Sequence, residues 1–382
     1  MSELISIQGR GEDFRRNLLT NVSLLALLGA TCASTVVQAA SDKSGPTVWI
    51  EIGGQLERLD APQVDFAPPF FGVASPPVLD TMLGALRPSR YSSSVEGKIT
   101  LMPEVTDWML SAAIRYGQVK NARHLHYQTP SAIFTTNRLG QGPVVSRPTQ
   151  KIFGDGQTDF ADSHFVLDFQ AGKDVGLGLF GNGVTSIVSA GVRYAQFTSS
   201  SDATIHARPV VGYGPARPVT LLKYHGTKHP LFRQTYTAVL HTSRNTHAIG
   251  PSVSWDASLP VIGSHEGMTM AFDWGLNGAI LFGRQRAFTQ HQTSGHYNHP
   301  EKTPARVRNY AQSTNHARSQ MIAVPNVGGF AGLSLKFPNA KISLGYRGDF
   351  FFNATDSGLD ARDTTNRNFY GPFATISIGL SG

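Results

Sequence analysis

Trp108, Leu110, Ala112, Ile114 and Tyr116 fall on one face of an extended chain, and Met109, Ser111, Ala113, Arg115 and Gly117 fall on the other. A period of two is that of a half-buried β-strand. Just upstream, Val95, Gly97, Ile99 and Leu101 alternate with Ser94, Glu96, Lys98 and Thr100. Pro103-Glu104-Val105-Thr106 is short enough to join the two runs as a hairpin. The unit recurs at 165–169 with 188–194, at 249–259 with 268–282, and at 333–337 with 342–346, where Pro338-Asn339 makes a tight turn. A first strand at 48–55 and a last at 374–380 bring the count to ten. Phe232, Gln234, Tyr236, Ala238 and Leu240 alternate as well, and a separate wall strand there would allow twelve.

The connections sort by length. Those near 103–106, 172–183, 260–266 and 338–339 are short, whereas those near 60–90, 120–158, 199–246, 287–322 and 355–367 are long. Such sorting predicts an all-β fold, a transmembrane antiparallel β-barrel with short periplasmic turns, long extracellular loops and an even strand number. A soluble sandwich rarely separates its loops this way. In a barrel of this kind the apolar phase meets lipid and the polar phase lines the lumen. Glu51, Glu96, Lys98, Arg115, Asp168, Arg193, Asp256, Asp273, Lys336, Arg347 and Asp349 all fall on the polar phase, and those from Glu96 onward are the candidate pore-lining residues. Trp108, Tyr116, Tyr194, Trp274, Tyr346 and Tyr370 fall near strand ends, where amphipathic rings favour the headgroup level.

Composition narrows the picture. Of 382 residues 15% are charged, well below the roughly 25% of soluble domains, while 10% are aromatic and 39 are Gly. Residues 1–39 read as a cleaved signal peptide: Arg10, Arg15 and Arg16 precede an apolar stretch, and Val37-Gln38-Ala39 is a small-x-small cleavage site. Residues 40–382 then form the barrel, a Cys-free chain of charge +7, because the segment removes as many basic as acidic residues together with Cys32. Beyond residue 40 no apolar run approaches the length of a membrane-spanning helix.

Residues 246–260, Thr-His-Ala-Ile-Gly-Pro-Ser-Val-Ser-Trp-Asp-Ala-Ser-Leu-Pro, followed by the Gly-rich run from Trp274 to Gly283, resemble the central hairpin of the Legionella major-outer-membrane-protein-like family of pore-forming barrels. Residues 192–197 and the closing Gly-Tyr-Arg and Gly-Pro-Phe strands fit the same layout, so the resemblance covers roughly 90–380 in pattern. It implies an outer-membrane pore protein and no catalytic residues. The chain departs from many outer-membrane barrels in ending Gly379-Leu380-Ser381-Gly382 and not on an aromatic.

Chemical motifs do not redirect this expectation. No Gly-x-Ser-x-Gly elbow, His-Glu-x-x-His or phosphate loop occurs; no enzyme activity and no cofactor are expected. Gly within the strands points to curvature or close packing in a barrel wall. Thirteen His include His124 and His126, His225 and His229, His291, His296, His299 and His316 in the predicted loops; a His-x-His spacing can face a metal, but no carboxylate stands at matching spacing. Pairings such as His241 with Asp202, or His316 with Ser313, have no support in the sequence. Between 199 and 246 Arg208, Arg217, Lys223, Lys228, Arg233 and Arg244 face only Asp202, and between 287 and 322 Lys302, Arg306, Arg308 and Arg318 face only Glu301. The expected function is an outer-membrane, porin-like pore passing small polar solutes or ions. Its alternative is a structural or adhesive barrel whose basic loops bind lipopolysaccharide or a host or partner surface. Outer-membrane lipid is the expected partner, and nucleic acid is not one.

Overall fold

The computed structural model describes residues 48–59, 91–103, 108–136, 143–175, 185–208, 210–211, 232–263, 267–299, 306–359 and 361–380. Ten long strands form the wall: β1 (Val48–Leu59), β2 (Tyr91–Leu101), β3 (Trp108–Thr136), β4 (Pro143–Asp174), β5 (Thr185–Arg208), β7 (Phe232–Gly263), β8 (Thr269–His299), β9 (Arg306–Phe337), β10 (Ala340–Asp356) and β11 (Thr364–Leu380). A two-residue strand, β6 (Val210–Val211), pairs with the start of β7. Every ladder is antiparallel between neighbours, β5 pairs with β7, and β1 pairs with β11 from Val48↔Leu380 to Leu59↔Phe369. The sheet therefore closes on itself and leaves no edge among these ten strands, as a membrane-spanning sheet requires. The signal segment lies outside the described residues.

Phe232, Gln234, Tyr236, Ala238 and Leu240 belong to the same continuous β7 as Ile249 and Trp255, so the count is ten and not twelve. The stretches near 120–158, 199–246 and 287–322 are also largely strand: β4, β7 and β9 each run 32 residues and β8 runs 31. Their Thr, Ser, His and Gln content hides them from a hydrophobic pattern, yet the antiparallel register carries straight through, as in Asp202↔His241↔Gln290↔Asn315. Above the lipid the outward face no longer needs to be apolar, so alternation loses its contrast while the backbone ladder continues. A strand tilted by about 40° advances about 2.5 Å per residue, so the longest reach about 80 Å, roughly three times the apolar band of a bilayer barrel.

The outward phase is the apolar one. Ile52 (68% exposed), Val95 (64%), Leu344 (60%), Val253 (58%), Phe282 (57%) and Leu276 (56%) mark a belt around the wall. Trp108 lies at the rim near Val48 and Leu380, where Trp255 and Trp274 also meet edge to face at 4.4 Å. Tyr91, Tyr116, Tyr194 and Tyr370 lie toward the opposite rim. Burying such side chains against protein is not an option on this face, and transfer to lipid takes its place at about 1.5–3 kcal/mol each. The inward phase is mostly buried and mixes polar, small and aromatic residues with aliphatic ones such as Val166, Leu281 and Val324. No helix is present among the described residues.

Candidate functional site in the barrel lumen

The ten charged residues singled out in the sequence, together with Glu51, share the inward phase, because a period of two keeps one set on one face for the whole strand. At the end where Val48 faces Leu380, Lys341 Nζ lies 2.6 Å from Asp273 Oδ2 and Lys336 Nζ lies 3.9 Å from Asp273 Oδ1. Ser258 donates to Asp273 at 2.5 Å, and Lys336 donates to Ser258 at 2.5 Å. Glu51 accepts from Ser377 at 2.8 Å, opposite Lys98 in the β1–β2 register. Asp256 is half-buried and occupies the space that a side chain at Gly275 would need.

Farther in, the pairs reach across the barrel. Arg115 on β3 donates to Asp349 on β10 at 2.6 Å, and Arg347 pairs with Glu96 on β2. Arg347 also stacks over Phe373, 4.8 Å from its centroid. Arg193 on β5 donates twice to Asp168 on β4, at 2.7 and 3.1 Å, then to Asn277 on β8 at 2.7 Å and to Asn326 on β9. Arg115, Arg193, Asp273 and Asp349 are all under a tenth exposed. The two fork-shaped guanidiniums of Arg115 and Arg193 are thus held by carboxylates and amides from four other strands, the geometry for which Arg suits better than Lys.

Above this layer lies a group that sequence reasoning missed. Phe160, Phe197, Phe351 and Phe369, from β4, β5, β10 and β11, are 4% exposed or less. The Phe197 ring stands 4.9 Å from Phe351 and 5.9 Å from Phe369. Arg367 pairs with Asp162 beside them, and His164 lies 3.4 Å from Glu57, which also accepts from Ser94 at 2.7 Å. Gly117 has no side chain where the His164 ring lies. The signal existed in phase alone: Glu57 continues Glu51 and Gln55, Asp162 and His164 lead into Asp168, and Phe197 follows Arg193 and Ala195. Extending each strand beyond its apolar stretch would have found them.

Side chains from opposite walls meet inside the barrel at this level. A permeating ion would have to part buried pairs, and leaving one charge without its partner costs about 3–5 kcal/mol. The polar residues therefore face inward as expected but contact one another across the barrel, and Asn277 accepts from the Arg193 guanidinium.

Beyond the belt, Asp155 accepts from His124 Nε2 at 2.7 Å and lies 3.5 Å from His126 Nδ1, so the carboxylate absent from the local spacing comes from the neighbouring strand. The His124 hydrogen bond holds Asp155 below its usual carboxylate range. His241 and Asp202 are opposite in register and bonded at 2.5 Å, whereas His316 stands opposite Thr289 and Ser313 opposite Gln292. Among the described residues no group of three or more His, Cys, Asp or Glu is arranged to hold a metal ion. His225 and His229 lie outside the described residues, as do Arg217, Lys223, Lys228, Glu301 and Lys302. Two of the expected loop cations are internal: Arg244 donates to the Ser357 carbonyl at 2.9 Å, and Arg318 pairs with Asp356 at 2.9 Å.

No family profile and no curated protein matches the sequence. Among solved structures the chain is similar to the transport unit of the autotransporter AIDA-I from Escherichia coli, at 7% identity over 92% of this chain and 97% of that one, with a TM-score of 0.25. It is also similar to outer-membrane expressed OmpT of Vibrio cholerae, at 8% identity over 90% and 100%, with a TM-score of 0.13. The fold itself is a closed ten-stranded antiparallel barrel with an apolar outer belt.

Proposed function

We propose that the chain resides in the outer membrane as a barrel with a closed lumen, and that it serves as a structural or adhesive scaffold raising a rigid β-wall above the lipid. The observation that carries this reading is the stacked closure by Arg115–Asp349, Arg193–Asp168 and the Phe197, Phe351 and Phe369 rings. Passage of small polar solutes or ions, the role implied by the resemblance to pore-forming barrels, is the second reading. It is favoured by the charged vestibule of Lys98, Asp256, Asp273, Lys336 and Lys341, and it would need the ion pairs to rearrange. A planar-bilayer trace of refolded protein separates the two. Baseline current at moderate voltage supports the scaffold, and steady single-channel steps overturn it in favour of the pore.

A further inference from the structure

We propose that the outward face of β7 and β8, just past the apolar belt on the side away from Val48 and Leu380, binds the phosphate groups of lipopolysaccharide, with Arg284 and Arg286 as the anion ligands. This rests on the outer-membrane reading and adds to it a site on the wall, distinct from the basic loops.

The register builds the site. Phe272, Leu276, Ile280 and Phe282 point outward along β8, and the next two outward positions are Arg284 and Arg286, both exposed. Across the ladders Arg284 stands opposite His247 on β7 and Met321 on β9, and Arg286 stands opposite Asn245 and Ser319. Gln196 on β5 lies opposite His247. A groove of about 560 Å³ runs over this patch, lined by Tyr194, Gln196, Asn245, His247, Arg286 and Ser319. Arg284 Nε donates to Ser319 Oγ at 2.7 Å, which fixes the plane of its guanidinium.

Charge is what points to a ligand. Arg115, Arg193, Arg318, Arg347 and Arg367 each pair with a carboxylate. Arg284 and Arg286 have no carboxylate partner among the described residues, and no acid lines the groove. Two like charges at i and i+2 of one strand sit about 6.6 Å apart, an arrangement that bound anions stabilise. Lipid phosphates lie at the boundary where the apolar belt stops, and Arg binds phosphate in bidentate fashion. Tyr194 and Phe288 flank the cations with amphipathic or apolar surface suited to acyl chains below and sugar above.

The full-length barrel, refolded into vesicles, tests this. Its thermal midpoint is read by gel mobility in phosphatidylcholine vesicles, in the same vesicles containing diphosphoryl lipid A, in vesicles containing lipid A stripped of phosphate, and in phosphatidylcholine with inorganic phosphate in the buffer. Diphosphoryl lipid A should raise the midpoint, added salt should erode the gain, and Arg284→Gln with Arg286→Gln should abolish most of it. An equal gain from stripped lipid A overturns the proposal without any variant, and a gain reproduced by inorganic phosphate overturns its lipid part. Failure to insert into any vesicle instead sinks the membrane reading itself.

Discussion

Arg115 and Asp349 meet at 2.6 Å across the lumen, although 234 residues of chain and three intervening wall strands separate them. Gly328 leaves the space that the Asp349 carboxylate fills. The pair is a tie between opposite sides of the barrel, and its loss should act on the whole wall. Arg115→Ala strands a buried carboxylate and should lower unfolding stability in detergent by about 3–5 kcal/mol. Arg115→Leu combined with Asp349→Leu should recover most of that, because a buried pair exchanged for apolar groups is often neutral. Urea midpoints of the three proteins decide it; a double variant no better than the single one contradicts the assignment.

The aromatic layer makes a second demand. Phe197→Ala with Phe369→Ala removes two rings from the closure and should cost about 3–5 kcal/mol for each ring. If the layer is what blocks current, the double variant should also conduct where the unaltered barrel is silent. Equal silence in both, with the variant folded, would move the block elsewhere.

On the lipid face, Leu276→Arg should cost about 2–4 kcal/mol because it places a cation near the bilayer midplane. Asn277→Arg, one residue along, should be about as damaging for a different reason: it sets a second guanidinium against Arg193 and removes an acceptor that binds at 2.7 Å. Asn277→Asp should be the mild change at that site. Folding yields in phosphatidylcholine vesicles rank the three, and a benign Asn277→Arg would show the lumen to be wet.

His241 lies beyond the membrane, bonded to Asp202, and that hydrogen bond raises its pKa above the ordinary 6.5. A group raised in the folded state contributes stability below its unfolded pKa, and the contribution disappears as pH climbs through the folded value. The wall's outer part should therefore loosen slightly from about pH 6.5 upward, by a small amount because both groups are partly solvated. An NMR titration of the imidazole should show the raised midpoint, and Asp202→Asn should return it to the ordinary value.

What the sequence reveals follows from where lipid imposes contrast. Within the belt, Ile249 against Gly250 or Leu276 against Asn277 alternate so sharply that strand, phase and facing are legible, and the ten charged lumen residues come out on the correct side. Outside it, neither side of a strand must be apolar, so β7 above Thr246 and β8 above Arg284 read as loop although they pair without interruption. Cross-lumen partners are illegible for another reason. Arg193 meets Asn277 and Asn326 through barrel curvature, which no local spacing encodes. The Phe197, Phe351 and Phe369 cluster likewise brings β5 against the β10–β11 hairpin, more than 150 residues along the chain.

Closure between the first and last strands also governs assembly. The β1–β11 ladder joins Val48 to Leu380, so a chain missing residues beyond Asp363 would hold nine wall strands with two bare edges and a lumen lacking Phe369 and Arg367. Such long-range pairing is slow, and open edges invite pairing with other chains. An unpaired β1 is therefore what distinguishes an open sheet, still able to pair with its neighbours, from a finished barrel.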